Sequence, residues 1–318
     1  MKTFLRTVKN IVIGKPLSAD NPNVKEHIAL IAVIAWIGLG ADGLSSSAYG
    51  PEEAYLALGS HTSIAVFLAL LTAFTVFLIS FAYNQVIELF PSGGGGYKVA
   101  TNLLGPKAGV VSGSALMVDY VLTIAVSVAS CIDAMFSMLP VGFLTYKIEV
   151  EVLLIVILMI LNLRGMKESI RVLIPLFLGF LFTHLAIIII GIFWHSSGLT
   201  LVMPDAISEA HGMSSSIGIF AAIAIFLKAY SLGGGTYTGL EAVSNNVNML
   251  AEPRVRTGKM TMLYMAVSLS FTAGGIILLY LLWHAQPVFG QTLNAVVFDK
   301  ILVETGFISN PAEGELLN

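Results

Sequence analysis

Apolar positions run in long blocks separated by short polar stretches, and seven such blocks follow one another along the chain. Their approximate limits are 28–58, 62–87, 108–139, 149–163, 170–194, 215–250 and 260–284. A helix needs about 20 apolar residues to cross a bilayer, so each block is predicted to be a span, the fourth being shorter than that length. Residues 1–26 are polar and basic, and Pro16 and Pro22 break any long helix there. This divides the chain into a cytoplasmic segment 1–26, a transmembrane domain 27–285, and residues 286–318 as an extracytoplasmic tail or the start of a missing region, without a further span.

Two blocks are interrupted by residues that a span should avoid. Block one contains Gly40-Ala-Asp-Gly-Leu-Ser-Ser-Ser-Ala-Tyr-Gly50, with the interruption expected near 40–46. Polar or broken backbone is tolerated in a bilayer only where protein or a water-filled cavity surrounds it. An ionisable residue there, here Asp42, marks a functional site by default. Block six contains Gly233-Gly-Gly-Thr-Tyr-Thr-Gly-Leu-Glu241, with an interruption expected near 233–239. Each Gly costs about 1 kcal/mol relative to Ala in a helix interior, so three in succession predict a real break. Close helix packing through small residues is the other reading. The blocks are five spans apart and therefore cross in opposite directions. Broken helices at matching positions of two inverted halves point to a midplane binding site.

Block three adds a polar stripe. Asp119, Thr123 and Ser127 recur every four residues and share one helix face, with Tyr120 beside it. Asp119 lies about 16 Å from the cytoplasmic end of its helix, at 1.5 Å per residue. A lone Asp near the bilayer centre costs about 2.5–3.5 kcal/mol on insertion scales, so it needs a partner or a cation. Asp133 falls about 21 Å further along the axis, at the outer mouth, as a rim or a pathway residue.

Composition agrees with the pattern. Charged residues make up 11% of the chain and hydrophobic ones 56%, with mean hydropathy +0.87; a soluble globular protein has about 25% charged residues. With the N-terminus inside, the basic residues of 1–26 fall in the cytoplasm together with Lys98, Lys107, Arg164, Lys167, Arg171, Arg254, Arg256 and Lys259. Only Lys147 and Lys300 fall outside, and Lys228 lies in a span, from which it can snorkel. The single cysteine, Cys131, allows no internal disulfide and reads as a packing residue. The histidines have no zinc-ligand spacing; His184 is a structural histidine or a proton relay. Pro91-Ser-Gly-Gly-Gly-Gly-Tyr97 lacks the ending of a phosphate loop and reads as a flexible cytoplasmic turn. Arg164 is an interface anchor first and a gate residue second.

Gly-Leu-Ser-Ser-Ser-Ala-Tyr-Gly-Pro-Glu (43–52), Pro-Ser-Gly-Gly-Gly-Gly-Tyr (91–97), Val-Asp-Tyr-Val-Leu-Thr-Ile-Ala-Val-Ser (118–127), Leu-Asn-Leu-Arg-Gly (161–165) and Thr-Gly-Leu-Glu-Ala-Val-Ser-Asn (238–245) come in this order across the chain. As a set they resemble the amino acid–polyamine–organocation superfamily, and within it bacterial potassium-uptake permeases of the KUP/KimA kind. The resemblance implies an all-α integral membrane protein with a LeuT-like fold of two inverted repeats and discontinuous helices one and six. It implies a secondary transporter that imports potassium with protons, in a bacterial inner (plasma) membrane, with its N-terminus cytoplasmic. Carried over by motif, Asp42, Tyr49, Asp119, Tyr120, Thr123, Ser127 and Thr238 belong to the cation pathway. Asp42, Asp119, Thr123, Ser127 and Thr238 would hold the potassium ion, and Glu241 would couple the proton. No cofactor is implied beyond the transported ions. The partners implied are lipid and a small cation, with a possible homodimer and no nucleic acid. Family members have about twelve spans, so seven correspond to a C-terminally truncated member holding the first repeat and two helices of the second.

The residues support cation transport on their own terms. Carboxylate, hydroxyl and carbonyl oxygens suit a hard monovalent cation, and clustered acids can exchange a proton for it. An amino acid permease of the same superfamily is the runner-up; Asp42 would repel the substrate carboxylate that such permeases place at half-helix N-termini. A membrane hydrolase using one of Ser45–Ser47 would need a base within hydrogen-bond reach, and His184 is the only deep histidine. A receptor or assembly subunit derived from a transporter is a further alternative.

Overall fold

The computed structural model describes residues 29–163 and 166–308, and these are helical almost throughout. In chain order the α-helices are α1 (Ala32–Ser45), α2 (Gly50–Leu56), α3 (Ala65–Leu89), α4 (Gly95–Leu104), α5 (Pro106–Phe136) and α6 (Lys147–Leu163). They continue with α7 (Met166–Trp194), α8 (Leu199–Ser216), α9 (Ile219–Leu232), α10 (Ala242–Asn245), α11 (Arg254–Leu282) and α12 (Leu293–Glu304).

Helix α11 is the axis of the molecule. It is 61% buried over its most apolar stretch, against 17% for α5. It packs along α3, α1 and α7. Met262, Met265, Leu269, Ala273, Ile276, Ile277 and Tyr280 bury successive faces of it. These residues divide between two apolar clusters. One gathers Leu30, Val76, Ile87, Leu240, Val243 and Leu250 around the first half of α11. The other gathers Tyr55, Leu68, Ile188, Trp283, Val297 and Ile301 around its second half. The polar residues of both interrupted blocks lie between the two clusters. By contrast α5 and α6 expose Val118, Val121, Leu122, Val152 and Leu153, an apolar surface suited to lipid.

Five stretches among the described residues are long and apolar enough to cross a membrane: Thr62–Leu89, Pro106–Phe136, Val172–Trp194, Ile219–Tyr237 and Arg254–Leu282. They correspond to blocks two, three, five, six and seven. In block one the longest α-helix has 14 residues, and in block four α6 has 17.

In block one the interruption falls later than the residue pattern suggests, whereas in block six it begins where expected, at Gly233. Gly40–Ser45 remain α-helical; the change to a 3-10 turn comes at Ser46–Ala48, and Gly50 restarts an α-helix. Gly40 and Gly43 serve close packing. A Cβ on Gly40 would come within 2.9 Å of Met265 Cγ, and one on Gly43 within 3.4 Å of the Thr238 carbonyl. In block six the 3-10 turn spans Gly233–Tyr237, and α-helix returns only at Ala242. Three helices were also unforeseen: α4, which follows the glycine-rich turn, α8 between blocks five and six, and α12 in the tail. Each of α8 and α12 buries a narrow apolar stripe, Ala206 and Met213 in one, Leu293, Val297 and Ile301 in the other. Such helices carry no long apolar run.

The tight fit of α7 and α12 on α11 has a direct consequence. A Cβ on Gly191 would lie 2.7 Å from Leu279 Cδ2 and 2.8 Å from Ile301 Cδ1, whereas one on Gly274 meets nothing within 4 Å. Overpacking of this kind costs about 1–3 kcal/mol. Gly191→Val is therefore expected to lower the melting temperature of the purified protein, and Gly274→Val to leave it near the parent value.

Candidate functional site

The three serines of block one explain how its helix ends. A helix C-terminus leaves carbonyls without partners. Ser45 Oγ donates to Asp42 O at 2.9 Å and Ser47 Oγ to Leu44 O at 2.6 Å. The Ser46 hydroxyl proton is shared between Gly43 O at 2.6 Å and Thr236 O at 2.8 Å, the second acceptor lying in the other interrupted block.

That bond belongs to a continuous antiparallel contact. Leu30 pairs with the Leu250 region, its N–H donating to Met249 O and its carbonyl accepting from Ala251 N, both at 2.9 Å. Further along, Asp42 and Gly43 meet Gly239, Ser46 meets Thr236, Gly50 meets Thr236, and Ala54 meets Gly233. Residue numbers rise on one side as they fall on the other. Two glycines are required by this approach. Gly239 has φ +84°, and a Cβ there would sit 2.6 Å from Gly43 N and 2.9 Å from Asp42 Oδ2. A Cβ on Gly50 would overlap Thr236 Oγ1 and lie 2.8 Å from Thr236 N.

The carboxylates predicted from the sequence converge on this contact. Asp42 lies in the last turn of α1, and Glu241 lies two residues beyond Gly239. Asp119 and Glu241 line one cavity of about 290 Å³ with Tyr83, Tyr97, Ser112 and Asn245. Asp42 lies within the electrostatic reach of Asp119, and Glu241 within that of both aspartates. No ion pair found among the described residues includes any of the three. Among the described residues no three His, Cys, Asp or Glu side chains cluster as a metal site. Glu241 Oε1 and Ser127 Oγ are buried and make no direct hydrogen bond, whereas buried polar atoms are usually paired.

The remaining predicted residues fill in the walls. Thr238 Oγ1 donates to Gly235 O at 2.8 Å, so the Tyr49 hydroxyl, 3.4 Å away, is left as donor to Thr238 Oγ1. Tyr49 also faces Ser127. Thr123 is buried on the same face of α5 as Asp119. Tyr120 turns elsewhere: its hydroxyl accepts from Asn245 Nδ2 at 2.8 Å. Asn245 was not singled out in the sequence, although it lies four residues after Glu241 on the same helical face. It also accepts the Gly94 N–H through its carbonyl at 3.0 Å. The glycine-rich turn is therefore held against block six. A Cβ on Gly93 would stand 2.8 Å from Asn245 O.

Other candidates separate from the site. Asp133 pairs with Lys147, as a rim residue would. His184 Nδ1 bonds to Phe180 O at 2.9 Å and its ring stacks on Phe180, a structural arrangement. Ser45, Ser46 and Ser47 direct their hydroxyls to carbonyls, with no base among those bonds. Lys228 is exposed. Cys131 is exposed on α5 instead of packed, because α5 buries only a narrow stripe. Arg164 lies outside the described residues.

Residues 28–307 match the family described as amino acid permease. The chain belongs to the amino acid permease family. This permease is also 34% identical over 294 residues to the potassium transporter KimA of Bacillus subtilis (strain 168), an alignment covering 90% of this chain and 46% of that relative. It spans about half the length of that curated relative.

The packed glycines give a sharp expectation. Gly239→Ala and Gly50→Ala must separate the two blocks or collapse the site, so both should cut the yield of folded permease several-fold. Gly234→Ala, whose Cβ meets nothing within 4 Å, should express like the parent. Fluorescence-detected size-exclusion chromatography compares the three.

Proposed function

We propose that this permease forms the ion-binding part of a secondary transporter that imports potassium together with protons. The observation that carries the reading is three acidic side chains, Asp42, Asp119 and Glu241, within electrostatic reach of one another and in none of the ion pairs among the described residues. A cation is the natural counter-charge for such a set, and ionisable residues in this setting mark ion pathways and proton relays. The similarity to a potassium transporter supports the same choice of substrate.

In this reading the molecule has the LeuT-like inverted-repeat architecture, and the two interrupted blocks are its discontinuous helices one and six. Their antiparallel contact supports that relation, because inverted halves bring matching breaks together at the midplane. The dehydrated potassium ion would be held by oxygens of Asp42, Asp119, Thr123, Ser127 and Thr238, with Tyr49 closing one wall through its bond to Thr238. Tyr120, through Asn245, holds α5 against block six. Glu241, with one carboxylate oxygen unpaired, takes the coupled proton. The excess of basic residues in alternate loops supports a cytoplasmic N-terminus, the membrane in this reading being a bacterial inner membrane.

The family description keeps an amino acid substrate as the second reading. Such a substrate brings a carboxylate, and Asp42, in the last turn of α1 just before the break, would repel it. The charge count therefore favours the cation.

Uptake assays in a bacterial strain lacking its own potassium-uptake systems separate the readings. Expression of the permease is expected to raise rubidium uptake and leave labelled amino acid uptake unchanged; the reverse pattern would contradict the proposal. Glu241→Gln should lower proton-driven rubidium uptake about tenfold or more, equivalent to about 1.4 kcal/mol. Unaltered uptake and pH dependence would remove Glu241 from the coupling role.

A further inference from the structure

Three consecutive residues at the start of α12 reach three different parts of the permease. Thr292 N donates to Ser137 Oγ at 2.9 Å, just past the end of α5. Leu293 N donates to Glu52 Oε1 at 2.9 Å, in α2. Asn294 Nδ2 donates to Ala48 O at 2.8 Å, inside the interruption of block one, and Asn294 Oδ1 accepts the Tyr280 hydroxyl of α11 at 2.5 Å. Leu293 and Asn294 are 1% and 8% exposed, and Tyr280 is fully buried.

Local chemistry explains why these bonds form. The first N–H groups of a helix have no partner inside it. In α12 the Thr292 hydroxyl accepts Ala295 N at 3.2 Å as an N-cap, and the Glu52 carboxylate accepts Leu293 N. A negative charge is favoured at that end of a helix. Glu52 takes part in none of the ion pairs found among the described residues. Its stabilisation comes from α12. Ala48 precedes Tyr49, whose hydroxyl reaches Thr238. The amide of Asn294 therefore occupies a carbonyl of the interruption and fixes the backbone that presents Tyr49.

We propose that Glu52 and Asn294 are positioning residues that clasp α12 onto the interruption of block one and close that end of the ion site. The clasp joins α12, α2, α5 and α11 at one point. Its release would loosen residues 47–49 while Ser46 stays bonded to Thr236 in the antiparallel contact. Neither residue touches the ion. Their part in transport rests on the ion-transport reading above, but the closed state of the turn does not.

Thiol accessibility tests the clasp without any transport. Cys131 is the sole cysteine, so a Cys131→Ser background leaves one introduced thiol. Ser47 is 0% exposed, and Ser47→Cys places the probe inside the turn. In the purified full chain, adding Glu52→Ala or Asn294→Ala is expected to speed maleimide labelling of that cysteine by about tenfold, as local opening predicts. Glu52→Gln, which keeps an acceptor oxygen, should restore slow labelling. A control cysteine at Ala273, buried against α3, should stay slow in every variant. Unchanged labelling at position 47, or an equal rise at 273, would overturn the clasp. If Ser47→Cys does not fold, hydrogen exchange over residues 288–300 in Glu52→Ala reads the same opening, with loss of protection supporting the clasp and full protection overturning it. Rubidium uptake in Asn294→Ala should then show a raised KM with Vmax less affected. The expected labelling pattern in the cysteine variants, together with no rubidium uptake by the wild-type permease, would overturn the transport reading and leave the clasp standing.

Discussion

Everything at the centre of this permease depends on two interrupted stretches approaching until no side chain fits between them. Gly239 lies so close to Asp42 and Gly43 that a single Cβ would collide with both. Gly50 stands against Thr236 in the same way. This contact sets where the helices end, because Ser46 spends its hydroxyl across it. It also fixes where the carboxylates go. Asp42 and Glu241 are brought together by the antiparallel register, and α5 then adds Asp119 from the side. The apolar clusters on either side of the contact confine polar backbone to one level, which is what a low-dielectric surround demands.

The second consequence is an excess of negative charge with no fixed cation beside it. A site built for stability would pair Asp42, Asp119 and Glu241 with arginine or lysine, since removing one partner of a buried pair is strongly destabilising. Here the basic side chains pair elsewhere, as Lys147 does with Asp133 and Lys259 with Glu88. An unpaired set of acids suits a mobile counter-ion. Glu241 Oε1 and Ser127 Oγ, buried without a direct hydrogen bond, are on two of the same elements.

Much of this was legible in the residues. The apolar blocks located the long helices, and the polar interruptions named Asp42, Tyr49, Thr238 and Glu241 before any contact was known. The four-residue spacing of Asp119, Thr123 and Ser127 gave the third wall. Two things were not legible. The first was where the interruption of block one falls, because Gly40 and Gly43 look like helix breakers but serve close packing against Met265 and the Thr238 carbonyl. The second was every contact that depends on tertiary placement. The Gly94–Asn245 and Asn294–Ala48 bonds join residues far apart in the chain, and neither partner carries a local motif that names the other. Helices α8 and α12 escaped notice for a related reason. A short helix buried along one stripe has no twenty-residue apolar run, and in α8 a proline, Pro204, further disguises it.

Direct ion binding to the purified permease tests the central claim most closely. Melting temperature is measured against potassium, rubidium, sodium and free amino acids at constant ionic strength. Saturable stabilisation by potassium and rubidium, lost in Asp42→Asn and Asp119→Asn while both variants remain folded, is the result expected from linkage. Stabilisation by an amino acid without any response to potassium, or a potassium response that survives both substitutions, would contradict it.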